Sequence, residues 1–172
     1  MAEPLSAADL QAAVDRLASQ LTTLSKEKPI ALLGIANGGI SLTKKLAEAI
    51  GGGIEWGTLN ILFHRDDVGT KPIPADFKAT DFSCAVDDAH LVLVDDVFAS
   101  GRTIRAALNE IFDHGRPASI TLAVLIDTAR RALPIRPDYV GVEFPCNDSQ
   151  QLKVTIHPTN TTAHTAELIQ LS

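Results

Sequence analysis

The 172-residue chain is poor in several residue types that mark specialised classes of protein. Its two cysteines, Cys84 and Cys146, have no CxxC spacing. This excludes a disulfide framework of the secreted type and favours free thiols in a reducing compartment. The five histidines lack the spacing of zinc ligands. No apolar run is long enough to span a membrane, and the opening "MAEPLSAADL" lacks the basic and apolar regions of a signal peptide. We therefore expect a cytoplasmic protein.

Basic residues are also scarce relative to acidic ones. The chain has 15 Lys and Arg against 21 Asp and Glu, a formal net charge of -6. Extended binding to nucleic acid or to an anionic membrane uses a surplus of Lys and Arg. Both partners are therefore disfavoured, although a local basic patch is compatible with the total. The 45% of hydrophobic and 21% of charged residues are typical of a globular protein, and we expect one domain over residues 1–172.

Segments with the patterns of strands and helices alternate along the chain. Ser6 is a predicted N-cap of a first helix over 6–24, where leucine and valine recur every three or four residues. Further helices are predicted at 40–50 and 103–113, strands at 30–35, 58–64, 91–94, 119–127, 139–144 and 151–156, and a long loop at 68–83. The pattern of 157–172 is too weak to assign. The alternation predicts an α/β fold with a mostly parallel sheet and a ligand site at the carboxyl ends of its strands.

Two acidic residues, Asp95 and Asp96, follow the apolar run 91–94. Adjacent carboxylates repel one another unless positive charge or hydrogen-bond donors lie nearby. The hydroxyls of a sugar diol can donate to both, and a hydrated magnesium ion can neutralise them because it prefers oxygen ligands. Alternatively, one aspartate caps the following turn and the other is solvated. The pair alone does not decide between these interpretations.

The residues that follow the aspartates are small or carry hydroxyl groups. The predicted turn consists of Ala99, Ser100, Gly101, Arg102 and Thr103, and it leads directly into a helix. Gly101 permits a positive φ, and the first N–H groups of the helix lie at the positive end of its dipole. Such a turn is a cradle for a monophosphate, and it is not a Walker A loop because the G-x-x-x-x-G-K-[ST] pattern is absent. Carboxylates for a diol and a cradle for a phosphate together describe a ribose 5-phosphate site.

The run "LVLVDDVFASGRT" resembles the phosphoribosyl pyrophosphate (PRPP) signature of type I phosphoribosyltransferases. "GRTIRAALNEIFDHGRP", "LAVLID" and "LPIRPDYVG" resemble the PyrR members of that family, which are pyrimidine-operon attenuators and uracil phosphoribosyltransferases. The resemblance implies the type I fold, with a small hood and a flexible loop over 68–83. It implies an enzyme that converts uracil and PRPP to UMP and pyrophosphate with magnesium as cofactor. It also implies a homodimer or a larger homo-oligomer.

The resemblance further implies a role for each group of residues. Asp95 and Asp96 hold the ribose hydroxyls near the metal, with no direct metal ligand assigned, and the turn 99–103 holds the 5-phosphate. Arg65 neutralises the charge of the pyrophosphate, so the expected catalytic residues are Arg65 and the two aspartates. The pyrophosphate meets the backbone N–H groups of Ala36, Asn37, Gly38 and Gly39. Without the resemblance, those glycines would be interpreted as the start of a helix and Arg65 as a surface charge.

Departures from the family pattern leave several interpretations open. Ala99 stands where 6-oxopurine enzymes carry an Asp, which favours uracil, whereas Asn37-Gly38 replaces the usual Thr-Arg of PyrR proteins. Residues 128–130 and 145–150 also depart, in segments expected near the base pocket and the RNA-binding surface. The alternatives are a catalytically weak PRPP or nucleotide sensor, a signalling receiver domain, which the late position of the aspartates disfavours, and an RNA-binding regulator. Candidate RNA contacts are Arg16, Arg130, Arg131 and Arg136.

Overall fold

The structure, a computed structural model, describes residues 5–61, 80–82 and 84–171. Among these residues the α-helices are α1 (Ala7–Glu27), α2 (Ala36–Ile50) and α3 (Arg102–His114), with a short 3-10 helix at Thr161–Ala163. The strands are β1 (Ala31–Ile35), β2 (Glu55–Leu59), β3 (His90–Phe98), β4 (Ser119–Asp127), β5 (Tyr139–Glu143), β6 (Gln150–Thr155) and β7 (Thr165–Gln170). None of the described helices has both the length and the apolarity needed to cross a bilayer.

Strands β1 to β5 form one sheet in which every neighbouring pair is parallel, in the order β2-β1-β3-β4-β5. The predicted α/β fold with a parallel central sheet is confirmed. Side chains alternate between two apolar layers. Leu32 and Val92 face the layer that contains α1 and α2, whereas Leu33 and Leu93 face the layer that contains Ile104 of α3. All five residues of β1 are buried, as expected for a strand that is covered on both faces.

Helix α1 begins where the sequence predicts, at a capping box. The Ser6 hydroxyl accepts the Asp9 N–H, and the Asp9 carboxylate accepts the Ser6 N–H. The predicted apolar face is buried at Leu10, Val14, Leu17, Leu21 and Leu24. The helix continues past the predicted end at 24 to Glu27, because the first helix-breaking residue in this part of the sequence is Pro29.

Three predicted boundaries are wrong. Strand β2 occupies Glu55–Leu59 rather than 58–64, since it pairs residue for residue with the five residues of β1; residues 62–64 lie outside the described chain. Strand β3 continues to Phe98 instead of ending at 94, because β4 pairs with it up to that residue. Helix α2 begins at Ala36, so residues 36–39 form its first turn rather than a loop before a helix at 40.

Strands β6 and β7 pair only with each other among the described residues, as an antiparallel sheet that we call the C-terminal hairpin. The sequence predicted β6 but left the segment of β7 unassigned. The buried residues Leu152, Val154 and Ile156 pack into the layer of α1 and α2. His164 ties the hairpin to α1, because its Nε2 lies 3.0 Å from the side-chain oxygen of Gln11. Its Nδ1 accepts the N–H of His157, between the two hairpin strands, at 3.1 Å. The hairpin is the predicted small hood.

Candidate functional site

A cavity of about 650 Å³ lies between the carboxyl ends of the central strands and the C-terminal hairpin. This is the edge at which parallel α/β sheets bind ligands. Its described lining includes six residues that the sequence analysis selected: Ala36, Gly38, Asp95, Asp96, Ala99 and Thr103. The structure therefore brings together, around one space, segments that are about sixty residues apart in the sequence.

Asp95 and Asp96 lie inside β3, so they are not at a solvated strand end as the sequence suggested. Asp95 is only 5% exposed, and Asp96 is half-buried. The Asp95 carboxylate accepts the Asp96 N–H at 3.1 Å, and the Asp96 carboxylate accepts the Val97 N–H at 2.8 Å. Burial raises the pKa of Asp95 well above its usual range, and repulsion from Asp96 raises that pKa further. Burial also raises the pKa of Asp96. The pair is thus poised to receive donors or a cation.

Glycines let the start of α2 approach β3 closely. A Cβ added at Gly38 would overlap the Asp96 carboxylate, and one added at Gly39 would lie 2.6 Å from the Val94 carbonyl oxygen. Ala36, the first residue of α2, has a φ of 50°, which is unusual for a residue other than glycine. The backbone at the N-terminus of α2 therefore lies directly beside the aspartates, with its first N–H groups free of intrahelical partners.

The turn between β3 and α3 has the positive φ that the sequence analysis allowed for at Gly101. Gly101, the N-cap of α3, has a φ of 89°, and no side chain caps the helix from that position. The Arg102 N–H donates to the Ser100 hydroxyl at 3.3 Å. Ala99 and Thr103 line the cavity, whereas Ser100, Gly101 and Arg102 are not among its described lining residues. The turn thus contributes two side chains to the cavity, the methyl group of Ala99 and the side chain of Thr103 in the first turn of α3.

Residues 6–154 match the family model of the phosphoribosyl transferase domain. The chain belongs to the phosphoribosyltransferase family. A protein of Pseudomonas paraeruginosa named Bifunctional protein PyrR is 44% identical over 142 residues, covering 81% of this chain and 84% of the relative. A protein of Ralstonia nicotianae with the same name is 43% identical over 136 residues, covering 77% and 78%. The chain is thus a type I phosphoribosyltransferase similar to PyrR.

Solved structures agree on the fold of this phosphoribosyltransferase. A hypoxanthine phosphoribosyltransferase of Staphylococcus aureus superposes with a TM-score of 0.65, at 19% identity, over 84% of this chain and 79% of the other. A hypoxanthine-guanine phosphoribosyltransferase of Bacillus anthracis gives 0.65 at 21% identity, over 82% and 80%. At these identities the likeness establishes the type I fold and carries no information on the base.

Two of the residues selected from the sequence cannot be placed in the site. Arg65 lies outside the described residues, as does most of the predicted loop 68–83, and the side chain of Asn37 is not described. At the end of that loop, Asp81 pairs with Thr58 at the end of β2. Gly39 is buried against β3 rather than in the cavity lining.

The cavity has a wall that sequence reasoning placed only roughly. Thr128, Arg130 and Cys146 line it, and they belong to the segments 128–130 and 145–150 that depart from the family pattern. The polar residues that the hairpin contributes were missed: Gln151, Lys153 and Thr155. These polar residues alternate with the apolar residues of β6, so the sequence does show that the strand has two different faces. It does not show that this strand lines the same cavity as the aspartates.

Proposed function

We propose that the chain transfers the ribose 5-phosphate group of PRPP to uracil, forming UMP and pyrophosphate. The observation that carries the proposal is the convergence on one cavity of three features: the Asp95–Asp96 pair, Ala99 and Thr103 of the turn 99–103, and the N-terminus of α2. These three features match the three parts of PRPP: ribose hydroxyls, a 5-phosphate and a pyrophosphate. The similarity to PyrR proteins supports the same reading of the site.

Ala99 supports uracil as the acceptor. It lines the cavity in the phosphate turn, where 6-oxopurine enzymes are expected to carry an aspartate for the purine ring nitrogen. A methyl group cannot accept a hydrogen bond, so this position offers a purine no partner. The smaller pyrimidine ring lacks that nitrogen and therefore needs no such partner.

The aspartate pair suits magnesium in the proposed complex. Magnesium commonly binds through one or two carboxylates while substrate phosphates and water supply its remaining ligands. Asp95 and Asp96 are two such oxygen donors, and the described residues contain no cluster of three or more metal-binding side chains. The donor set therefore fits an ion that arrives with its substrate. When bound, magnesium neutralises charge on the pyrophosphate leaving group.

The chain's own groups then stabilise charge on either side of the bond that breaks. The C1–oxygen bond of PRPP breaks, and its electron pair leaves with pyrophosphate. A uracil nitrogen forms the new bond to C1, and its proton is released to water. Positive charge builds up on the ribose, next to the carboxylates of Asp95 and Asp96, and negative charge builds up beside the N–H groups at the start of α2. Arg65, outside the described residues, retains in this proposal its role of pairing with pyrophosphate.

A spectrophotometric transferase assay tests the proposal. The protein is incubated with PRPP and magnesium, and with uracil, hypoxanthine, guanine or no base. We expect turnover with uracil alone, and loss of PRPP binding in the variant Asp95→Asn/Asp96→Asn. Asp15→Asn, an exposed carboxylate on α1, is the matched control. Unchanged PRPP affinity in the double variant would remove the site assignment. PRPP or nucleotide binding without turnover would identify a sensor.

RNA binding is the second candidate function, because the relatives are named as bifunctional. Three of the four candidate arginines have partners within the fold: Arg16 donates to the Gly141 carbonyl, Arg130 to the Gln150 carbonyl and Arg131 to the Asp127 carboxylate. This, together with the net charge of -6, weighs against RNA. Fluorescence polarisation with a labelled RNA hairpin, measured with and without UMP, tests RNA binding.

Sedimentation velocity tests the proposed homodimer or larger homo-oligomer.

A further inference from the structure

The loop after β4, residues 128–135, holds the phosphate turn from behind; we call it the β4 loop. It binds the backbone on both sides of Ala99. Before Ala99, the Phe98 carbonyl accepts the N–H of Thr128 at 3.0 Å and its hydroxyl at 2.9 Å. After Ala99, the Ser100 carbonyl accepts two N–H groups at 3.0 and 3.1 Å, from Ala132 and Leu133. The position of the turn therefore depends on the position of the β4 loop.

The β4 loop is in turn fixed by the carboxylate of Asp127, the last residue of β4. Its Oδ1 accepts the Ala129 N–H at 2.8 Å, and its Oδ2 accepts Nη2 of Arg131 at 2.5 Å. The Asp127 side chain is only 10% exposed. Ala129 has a φ of 59°, a left-handed conformation that an alanine rarely adopts. The loop holds that conformation because the carboxylate binds both of these donors.

Arg131 connects the loop to the strand that carries the aspartates. Its guanidinium binds Asp127 and also donates to the Arg130 carbonyl at 2.8 Å. Its carbon Cζ lies 4.5 Å from the centre of the Phe98 ring, over its face. Phe98 is the last residue of β3 and immediately precedes the phosphate turn. Neither Asp127 nor Arg131 is among the described residues that line the cavity.

We propose that Arg131 is a positioning residue for the 5-phosphate, acting through Asp127 and Phe98. The proposal rests on the proposed function, in which the turn 99–103 receives that phosphate. A cradle of N–H groups binds tightly only when its groups converge on one point. Arg131 fixes both the strand end before the turn and the loop whose N–H groups hold Ser100.

Calorimetric titration of Arg131→Ala with UMP and with uridine tests the inference. The two ligands differ only in the 5-phosphate. We expect UMP affinity to fall roughly tenfold, because small misplacement of a binding group is costly, while uridine affinity changes less than about twofold. Arg131→Lys keeps a charge opposite Asp127 but cannot both stack on Phe98 and reach two acceptors. It should lose UMP affinity as well, and it serves in place of Arg131→Ala if that variant does not fold.

Arg136→Ala is the matched control, since Arg136 is an exposed arginine just beyond the same loop. It should bind both ligands as the wild type does. Equal weakening of UMP and uridine by Arg131→Ala would show general loosening of the site and overturn the positioning role. Unchanged UMP affinity in the alanine and lysine variants would also overturn it. A wild-type protein that binds neither UMP nor PRPP would instead refute the proposed function itself.

Discussion

The variant Asp95→Asn should bind PRPP poorly and yet be more stable than the wild type. Asp95 is 5% exposed, and its pKa is raised first by burial and then by the Asp96 carboxylate. Every tenfold change in an acid dissociation constant corresponds to about 1.4 kcal/mol. An ionised Asp95 therefore costs the folded state free energy, and asparagine does not carry this cost. Asparagine has nearly the same shape, and its oxygen can still accept the Asp96 N–H.

Thermal and urea unfolding with and without PRPP measure the effect. The ligand-free melting temperature should rise, by roughly 2–4 °C for each kcal/mol of stability gained in a chain of this size. The sign of the pH dependence gives a second check. Because the folded-state pKa of Asp95 is raised, the wild type gains stability as the pH falls through that pKa, whereas asparagine does not titrate. The stability advantage of the variant should therefore shrink towards pH 4.

Asp15→Asn serves as the control for this experiment, because it removes one exposed carboxylate from α1. Its free energy of unfolding should stay within about 0.5 kcal/mol of the wild-type value. A ligand-free Asp95→Asn protein that is less stable than the wild type at pH 7 would refute the reasoning. So would a stability difference that does not change with pH.

The remaining predictions concern close contacts around the site and hairpin. Gly38→Ala should weaken PRPP binding more than it lowers stability, since its methyl group displaces only the Asp96 carboxylate, whereas Gly39→Ala should lower the melting temperature more because it meets backbone. Thr128→Val removes a buried hydroxyl donor to the last carbonyl of β3 and should cost about 1 kcal/mol in urea unfolding. Burial and neighbouring basic groups lower the pKa of His164. The neutral form of His164 stabilises the fold at any pH above the ordinary pKa of histidine, and this stability is lost as the pH falls towards the lowered pKa. The difference in free energy of unfolding between the wild type and His164→Asn should therefore narrow from pH 7 to 5.

Hydrophobic runs in the sequence were enough to predict the layers of the fold, but not the boundaries at the site. Asp95 and Asp96 look like the end of a strand because charged side chains are rare in buried strands. The strand continues through them because backbone pairing with β4 does not depend on the side chains. Residues 36–39 look like a loop because Asn and Gly favour turns. Packing overrides that preference, since α2 can lie against β3 only where Gly38 and Gly39 have no side chain.

Residues that line the cavity were selected from the sequence where they lie in one continuous stretch, and missed where distant segments meet. The aspartates and the turn 99–103 occupy nine consecutive residues, so their combination is visible in the sequence. Lys153 and Gln151 reach the cavity only because the hairpin folds back over the sheet. The hydrogen bond between His164 and Gln11, which ties that hairpin to α1, joins residues 153 positions apart. Local patterns carry no information about pairs so distant.

The two walls of the cavity differ in stiffness. One wall is the end of β3, which pairs with β4 up to Phe98 and belongs to a five-stranded sheet with an apolar layer on each face. The other is a hairpin whose strands pair only with each other in the described chain, and two-stranded sheets are marginally stable by themselves. Amide hydrogens of β6 and β7 should therefore exchange with solvent faster than those of β3. Ligand binding should slow exchange most in the hairpin, so exchange in β6 and β7 should report whether the cavity is filled. The end of β3 should change little, and it should hold Asp95 and Asp96 at fixed positions.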